Sequence, residues 1–471
     1  MRFRIQRHLG ELLDHSRPSA EKAAVHLKKA TSGTDRVRIP TEFTAHQYAV
    51  LLLHIAAEIE HSLMVEYLYA AFSLGGPGVP KEHQRQVSEW QEVILGIAKE
   101  EMGHLMTVQN ALRCLGGSLN LDRQDYPWDS DFYPFPFQLE RLTRLSLAKY
   151  VFVESPPPAD WAGAEADEIR ELARTGTGNA LLHRVGDLYD AILKLLRDPD
   201  AVPDRAFRSA TYPYQANWDE WARGYQGGAR GNAAGGAIPG TPDVIVRPVT
   251  CRTDTVAALS AVAMQGEANP TADGQAPSHF ARFLKIFRQF PRNAGWDPSR
   301  KVPNNPVVST TDTTAAVDGA GALTVITHPE AVLWAHLFNI RYRLLLTNLL
   351  HTFSYPSNLS ESSGSTPRGF LVHSTFGEMY NIRALSTLLM QTPLTQKSSD
   401  LVAGPPFQMP FTLSLPVDAV DRWGLHLDLL ESSAGIVERL LRMVKTDHRQ
   451  YLQALRSTDE QAATVIRPLM R

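Results

Sequence analysis

The chain has 471 residues, of which 43% are hydrophobic and 21% charged, ordinary globular composition with material for one large core or several domains. Its 47 basic and 50 acidic side chains leave a formal net charge of −3, which gives no electrostatic footing for nucleic acid or an anionic membrane as partner. Two cysteines, Cys114 and Cys251, exclude a disulfide framework and a CxxC metal knuckle, so any metal must be held by carboxylate and imidazole.

The opening MRFRIQRHLGELLDH lacks the apolar core of a secretory signal, and no apolar run of the roughly 18 residues that a membrane span needs follows it; a cytoplasmic location is expected. A first long helix is predicted from Thr44 to Leu74, free of internal Gly and Pro and stopped by GGPGVP. A second runs from Lys81 to Leu115, with Pro80 before it and Gly116 and Gly117 as its cap. Residues 126–137, YPWDSDFYPFPF, are too proline-rich for a regular element and too aromatic for a plain surface loop; they cover apolar surface or line a pocket. Helices follow at Leu139–Val153 and, beyond the break at Pro156–Pro158, at Asn179–Leu196.

Periodicity is lost over residues 199–250, a long connection. It resumes at Thr253–Glu267, is interrupted by GEANPTADGQAPS, and continues over Ser278–Phe290. After a second irregular stretch, helices are predicted near Glu330–Phe353, Gly377–Met390 and Asp418–Lys445, with a short one to Ile466. No strand-like alternation persists, so the expected class is all-α, with long loops, divided into residues 1–290 and a C-terminal helical region 291–471 packed on them.

Charged residues in the wrong place carry the chemical argument. Glu60 falls at the centre of an apolar helix face formed by Leu53, Ala56, Ala57, Leu63, Met64, Tyr67 and Ala71, and burying a lone carboxylate there costs several kcal/mol. Glu101 sits likewise among Trp90, Ile94, Ile97, Leu105, Val108 and Leu112, with His104 one turn along on the same side. Glu and His at i, i+3 can converge on one divalent ion, and a single cation site explains both anomalies. Glu100 is a rival to Glu101, although it points away from the stripe; Glu58 and His61, with His54, form a polar patch or a rival ExxH site. Tyr67 is placed to donate to a carboxylate. A metal-free ionic network is the competing account. Farther along, Glu267 and His279 flank the interruption, and Asp187, four residues after His183, lies peripheral to the face set by Leu181, Val185, Leu188 and Ile192.

The segments IEHSLMVEYLYAAFSL, KEEMGHLMTVQNALRCLGG, YPWDSDFYPFPF, GDLYDAI, MQGE and SHFARF together resemble the ferritin-like domain family that includes the iminophenyl-pyruvate dimer synthase domain of violacein- and rebeccamycin-type pathways. The resemblance covers residues 43–290, and HLFNIRYRLLLTNLL and LVAGPPFQMPF look like the family's continuation. It implies a ferritin-like four-helix bundle with inserted loops, in which Glu60, Glu101, His104, Glu267 and His279 are metal ligands. Where the family often reads Gly-Glu-Phe-Tyr this chain has Gly186, Asp187, Leu188 and Tyr189, so Asp187 would be a shorter ligand. The implied activity is that of a non-haem iron oxidase or oxygenase of specialised metabolism. It would hold two iron ions and use dioxygen or peroxide on a small, aromatic, amino-acid-derived substrate, with Tyr67 and Arg282 as catalytic residues, Arg282 on a substrate carboxylate. Haem-dependent or metal-free coupling of imino acids and a noncatalytic scaffold are the alternatives; haem needs no CxxCH when an axial histidine suffices. A homo-oligomer or a pathway enzyme is the expected protein partner.

Overall fold

The computed structural model describes residues 37–124, 133–178, 182–221, 244–267, 277–292, 295–308, 323–357, 366–397, 400–410, 412–444 and 446–470. These form two compact units, Met1–Gln138 with Leu142–Ser299, and Leu139–Arg141 with Arg300–Arg471. The sequence-based boundary lay at 290/291.

The first unit is built on α1 (Ala45–Ser73) and α2 (Gln84–Cys114), which pack together along most of their length. Thr44 starts α1 through a capping box with Gln47, each side chain satisfying the other's backbone N–H. A single 3₁₀ turn, Lys81–His83, leads into α2, and Gly116, at φ 75°, ends it in the left-handed conformation that suits glycine. The remaining helices of ten residues or more are α3 (Arg144–Val153), α4 (Ala164–Gly176), α5 (Val185–Arg197), α6 (Arg252–Glu267) and α7 (His279–Gln289). Helix α5 packs on α1 and α6, and α7 packs on α2, α3 and α6. Among the described residues α1 alone is long and apolar enough to cross a membrane, yet most of its apolar stretch is buried inside the protein, along with Glu60, His61 and Glu66.

Two starts differ from expectation. Helix α3 begins at Arg144 rather than Leu139 because Thr143 and Ser146 form a capping box there, and α5 begins at Val185 rather than Asn179; residues 179–181 lie outside the described set. Helix α4 was not anticipated: only Ala166, Ile169 and Ala173 are buried on it, too sparse a stripe to stand out among its charges. Of the aromatic segment, 126–132 lies outside the described residues, while Tyr133, Phe135 and Phe137 are buried. They line a pocket with Ile59, Leu63 and Glu66.

In the second unit α8 (Pro329–Thr352), α9 (Pro367–Leu389), α10 (Ala419–Leu441) and α11 (Thr446–Leu469) surround a core that includes Leu344, Leu371, Trp423, Leu429 and Ile466. Helix α9 starts ten residues before the expected Gly377, because Thr366 caps it and Pro367 presets its first turn. The short final helix proves to be 24 residues long. One pair of three-residue strands, β1 (Pro306–Val308) and β2 (Thr324–Ile326), runs parallel, too short for alternation to announce it. Arg341, buried on α8, donates to Asp459 at 2.8 and 2.9 Å and pairs with Glu378 at 2.8 Å, so the three charges compensate one another. Farther along α8, His351 shares an Nδ1···Nε2 hydrogen bond of 3.0 Å with His426, and both rings lie close to Trp423.

Candidate metal centre

Three helices of the first unit and the end of a fourth deliver polar side chains to one buried point. Glu60 comes from the middle of α1; Glu101 and His104 come from successive turns of α2. Glu154 is the residue that ends α3, and His279 is the first residue of α7, fixed by the Ser278 side chain accepting from the Ala281 N–H at 3.2 Å. All five are at most 3% exposed. Gly103 lets the chain at Val244 and Ile245 run directly against α2 beside His104: a Cβ there would lie 2.8 Å from the Ile245 carbonyl oxygen.

Glu101 is the centre of the cluster. Its Oε2 lies 2.9 Å from Nδ1 of His104, and its Oε1 lies 2.8 Å from Nδ1 of His279. On the His104 side Glu60 approaches the same nitrogen at 3.4 Å; on the His279 side Glu154 approaches at 3.7 Å. Each outer carboxylate is held by a tyrosine: Tyr189 donates to Glu60, and Tyr67 donates to Glu154 at 2.6 Å. The imidazole rings lie nearly parallel, with centroids 5.3 Å apart. Tyr67 in turn packs on Tyr150 and Phe283, which form an aromatic wall behind Glu154.

The residues fit a metal. One potential ligand atom from each of Glu101, His104 and His279 lies within 4.8 Å of the others. Oε1 of Glu101 and Nδ1 of His279 face each other without hydrogen-bond geometry, and neither has a hydrogen-bond partner among the described residues. Since Nε2 of His279 is engaged by Glu100 at 3.0 Å, a neutral His279 turns its Nδ1 lone pair toward a carboxylate, an arrangement that a shared cation or a proton must compensate. Before any ion binds, protons play that part. Burial alone would lower His104, but Glu101 and Glu60 push it up to about 10; burial opposes the same rise at His279, which Glu101 and Glu100 hold well above its usual range. Burial would raise Glu101, yet the two imidazoles hold it well below. Burial and the Glu101 charge push Glu60 up to about 8. Burial, with Glu154 beside one and Glu60 beside the other, keeps Tyr67 and Tyr189 far above the usual phenol range, so both hydroxyls remain donors.

Among the expected site residues, the structure brings together Glu60, Glu101, His104 and His279, with Tyr67 against them. Glu267 lines the same pocket, about 270 Å³ counted with its open mouth, but its carboxylate is drawn onto the start of α5. A Cβ on Gly186 would fall 1.8 Å from its Oε1, so glycine is required for this approach. Burial pushes Glu267 up to about 8. Asp187 is not brought in. It pairs with Arg184 three residues before it and faces outward, because α5 turns Val185, Leu188 and Ile192 inward, as the periodicity alone indicated. Arg282 is committed to Glu100 rather than left for a substrate. Glu100 does not point away from the cluster as expected; it is buried, touching His279 as well as Arg282, and the two hold it below the usual carboxylate range against its burial. His61 is also buried, its Nδ1 bonded to the Leu121 carbonyl, and Glu58 is pushed up to about 7 by burial beside Asn120 and Tyr133. Sequence reasoning missed Glu154. The available signal was a single acid closing the apolar run KYVFVE immediately before SPPP.

A family model described as Ferritin-like matches residues 53–288. Dichlorochromopyrrolate synthase from Lentzea aerocolonigenes is 23% identical over 408 residues, 79% of this chain but 37% of that protein, so the chain spans little more than a third of its relative's length. A crystal structure of a ferritin-like protein from Caulobacter vibrioides aligns over 72% of this chain and 96% of that one, at 16% identity and a TM-score of 0.41.

Proposed function

Because the chain belongs to the ferritin-like family, we propose that it is a two-iron oxidoreductase that uses dioxygen or peroxide on a small aromatic substrate derived from an amino acid. The observation that carries this reading is the layout around Glu101, whose two oxygens each face a different imidazole nitrogen, with a separate glutamate beside each. Carboxylate and imidazole donors in a helical bundle suit iron and manganese, and helical bundles that hold two such ions do so with glutamates and Glu-x-x-His pairs on facing helices. Two iron ions held there would supply the redox and Lewis-acid chemistry that no side chain in the pocket provides by itself.

The chain's own residues have assignable tasks. Glu60, Glu101, His104, Glu154 and His279 would hold the ions. Tyr67 and Tyr189 fix the outer carboxylates through their O–H groups, so those oxygens keep their direction when charge at the centre changes. Leu63, Val185, Val262 and Ala263 line the pocket and limit water around the carboxylates. The name of the relative, dichlorochromopyrrolate synthase, supports an aromatic acid as substrate.

The test is anaerobic reconstitution with Fe(II), removal of loosely bound metal, and elemental analysis. Two irons per chain are expected. A ratio near zero overturns the metal reading and leaves the cluster as an internal ionic network; a firm ratio of one overturns the two-ion layout.

A further inference from the structure

Both imidazoles present Nδ1 to Glu101, so both are steered from the Nε2 side, and there the two halves of the site part company. Nε2 of His279 donates to Oε2 of Glu100 at 3.0 Å, and Glu100 is buried and ion-paired with Arg282. Nε2 of His104 donates instead to the amide oxygen of Gln265 at 2.8 Å, a neutral acceptor on the half-buried face of α6. An N–H given to a carboxylate makes the opposite ring nitrogen a stronger base than one given to an amide. Inside this shell the halves are nearly matched: Glu60 with its tyrosine on one side, Glu154 with its tyrosine on the other, and Glu101 shared. The outer acceptor is therefore where they differ in charge.

Resting on the two-ion reading above, we infer that Glu100 and Gln265 are positioning residues that grade the site. The half built on His279 and Glu154 binds a divalent cation more tightly than the half built on His104 and Glu60, and the two fill in that order. Arg282 serves this arrangement by pairing with Glu100 and keeping it aimed at the ring, which explains why its guanidinium is engaged inside the protein.

The experiment is titration of the metal-free full-length chain with Mn(II), followed by calorimetry and by the electron paramagnetic resonance signal of free Mn(II). Two binding steps at least about tenfold apart are expected for the native chain. Glu100→Gln should weaken the tighter step by about 10–100-fold and leave the other within about threefold, whereas Gln265→Glu should strengthen the weaker step. Circular dichroism monitors the helices, and if Glu100→Gln does not fold, Gln265→Glu decides alone: no strengthening overturns the grading. Equal loss at both steps in Glu100→Gln, or no loss, also overturns it. Two ions bound with equal affinity by the native chain would refute the grading and leave the two-ion reading standing; no bound ion would refute that reading itself.

Discussion

Replacing Glu101 with Gln removes the one carboxylate that both imidazoles face while keeping its shape. Breaking a buried ion pair from one side costs about 3–5 kcal/mol, but imidazoles can shed their protons, which limits the damage. At pH 7, a histidine that returns from about 10 to its ordinary 6.5 gives up about 4 kcal/mol. Part of this is recovered because Glu60, which burial and the Glu101 charge push up to about 8, is freed of the second of these. A net loss of about 2–4 kcal/mol is expected for the metal-free variant by urea unfolding at pH 7. A histidine raised in the folded state stabilises fully below its unfolded pKa and ceases to do so as pH rises through the folded value. The gap between native chain and variant should therefore be largest at neutral pH and below, and close as pH approaches about 10. Adding Mn(II) at about 100 times its dissociation constant should stabilise the native chain by a further 2.7 kcal/mol or so and do nothing for the variant. If Glu101→Gln gains as much from Mn(II) as the native chain, the central role assigned to this carboxylate is refuted.

Other substitutions test the remaining assignments. Glu154→Gln should lower the bound iron from about two toward about one per chain while Asp187→Asn leaves it unchanged, and the opposite result by elemental analysis would restore Asp187 as the ligand. In the second unit, burial lowers His351 to about 4 and, with His351 beside it, His426 to about 3. Their contribution is present above the unfolded value of 6.5 and is lost as pH falls toward the folded values, by about 2 kcal/mol per histidine at pH 5. Hydrogen exchange at the amides of α8 and α10 should show that acid sensitivity, and His426→Phe should flatten it. Arg341→Met, which strands Asp459 and Glu378 in the interior, should cost about 3–5 kcal/mol in urea unfolding.

How much could be read from the chain depended on whether a residue's surroundings were local. Glu60, Glu101 and His104 stood out because helical periodicity alone puts them among hydrocarbon, and they are buried where that pattern puts them. Their meeting with His279 crosses more than 170 residues, which no spacing rule spans; resemblance supplied it. Glu154 was invisible to periodicity because it lies at a helix end, where no face is defined, and its role depends on α3 packing against α7. At Asp187 the two kinds of reasoning disagreed, and the wheel position agrees with the observed outward pairing to Arg184. The late start of α3 and the early start of α9 both follow from threonine caps, signals present in the sequence but overridden by the apolar pattern around them.

The residues proposed to hold metal are not anchored alike. Glu60, Glu101 and His104 sit in helix interiors, where a side chain moves only if several backbone hydrogen bonds break together. Glu154 closes α3, and His279 opens α7 under a single serine cap. Helix ends open locally at lower cost than helix middles, so the side of the centre built on Glu154 and His279 should yield before the side built on Glu60, Glu101 and His104.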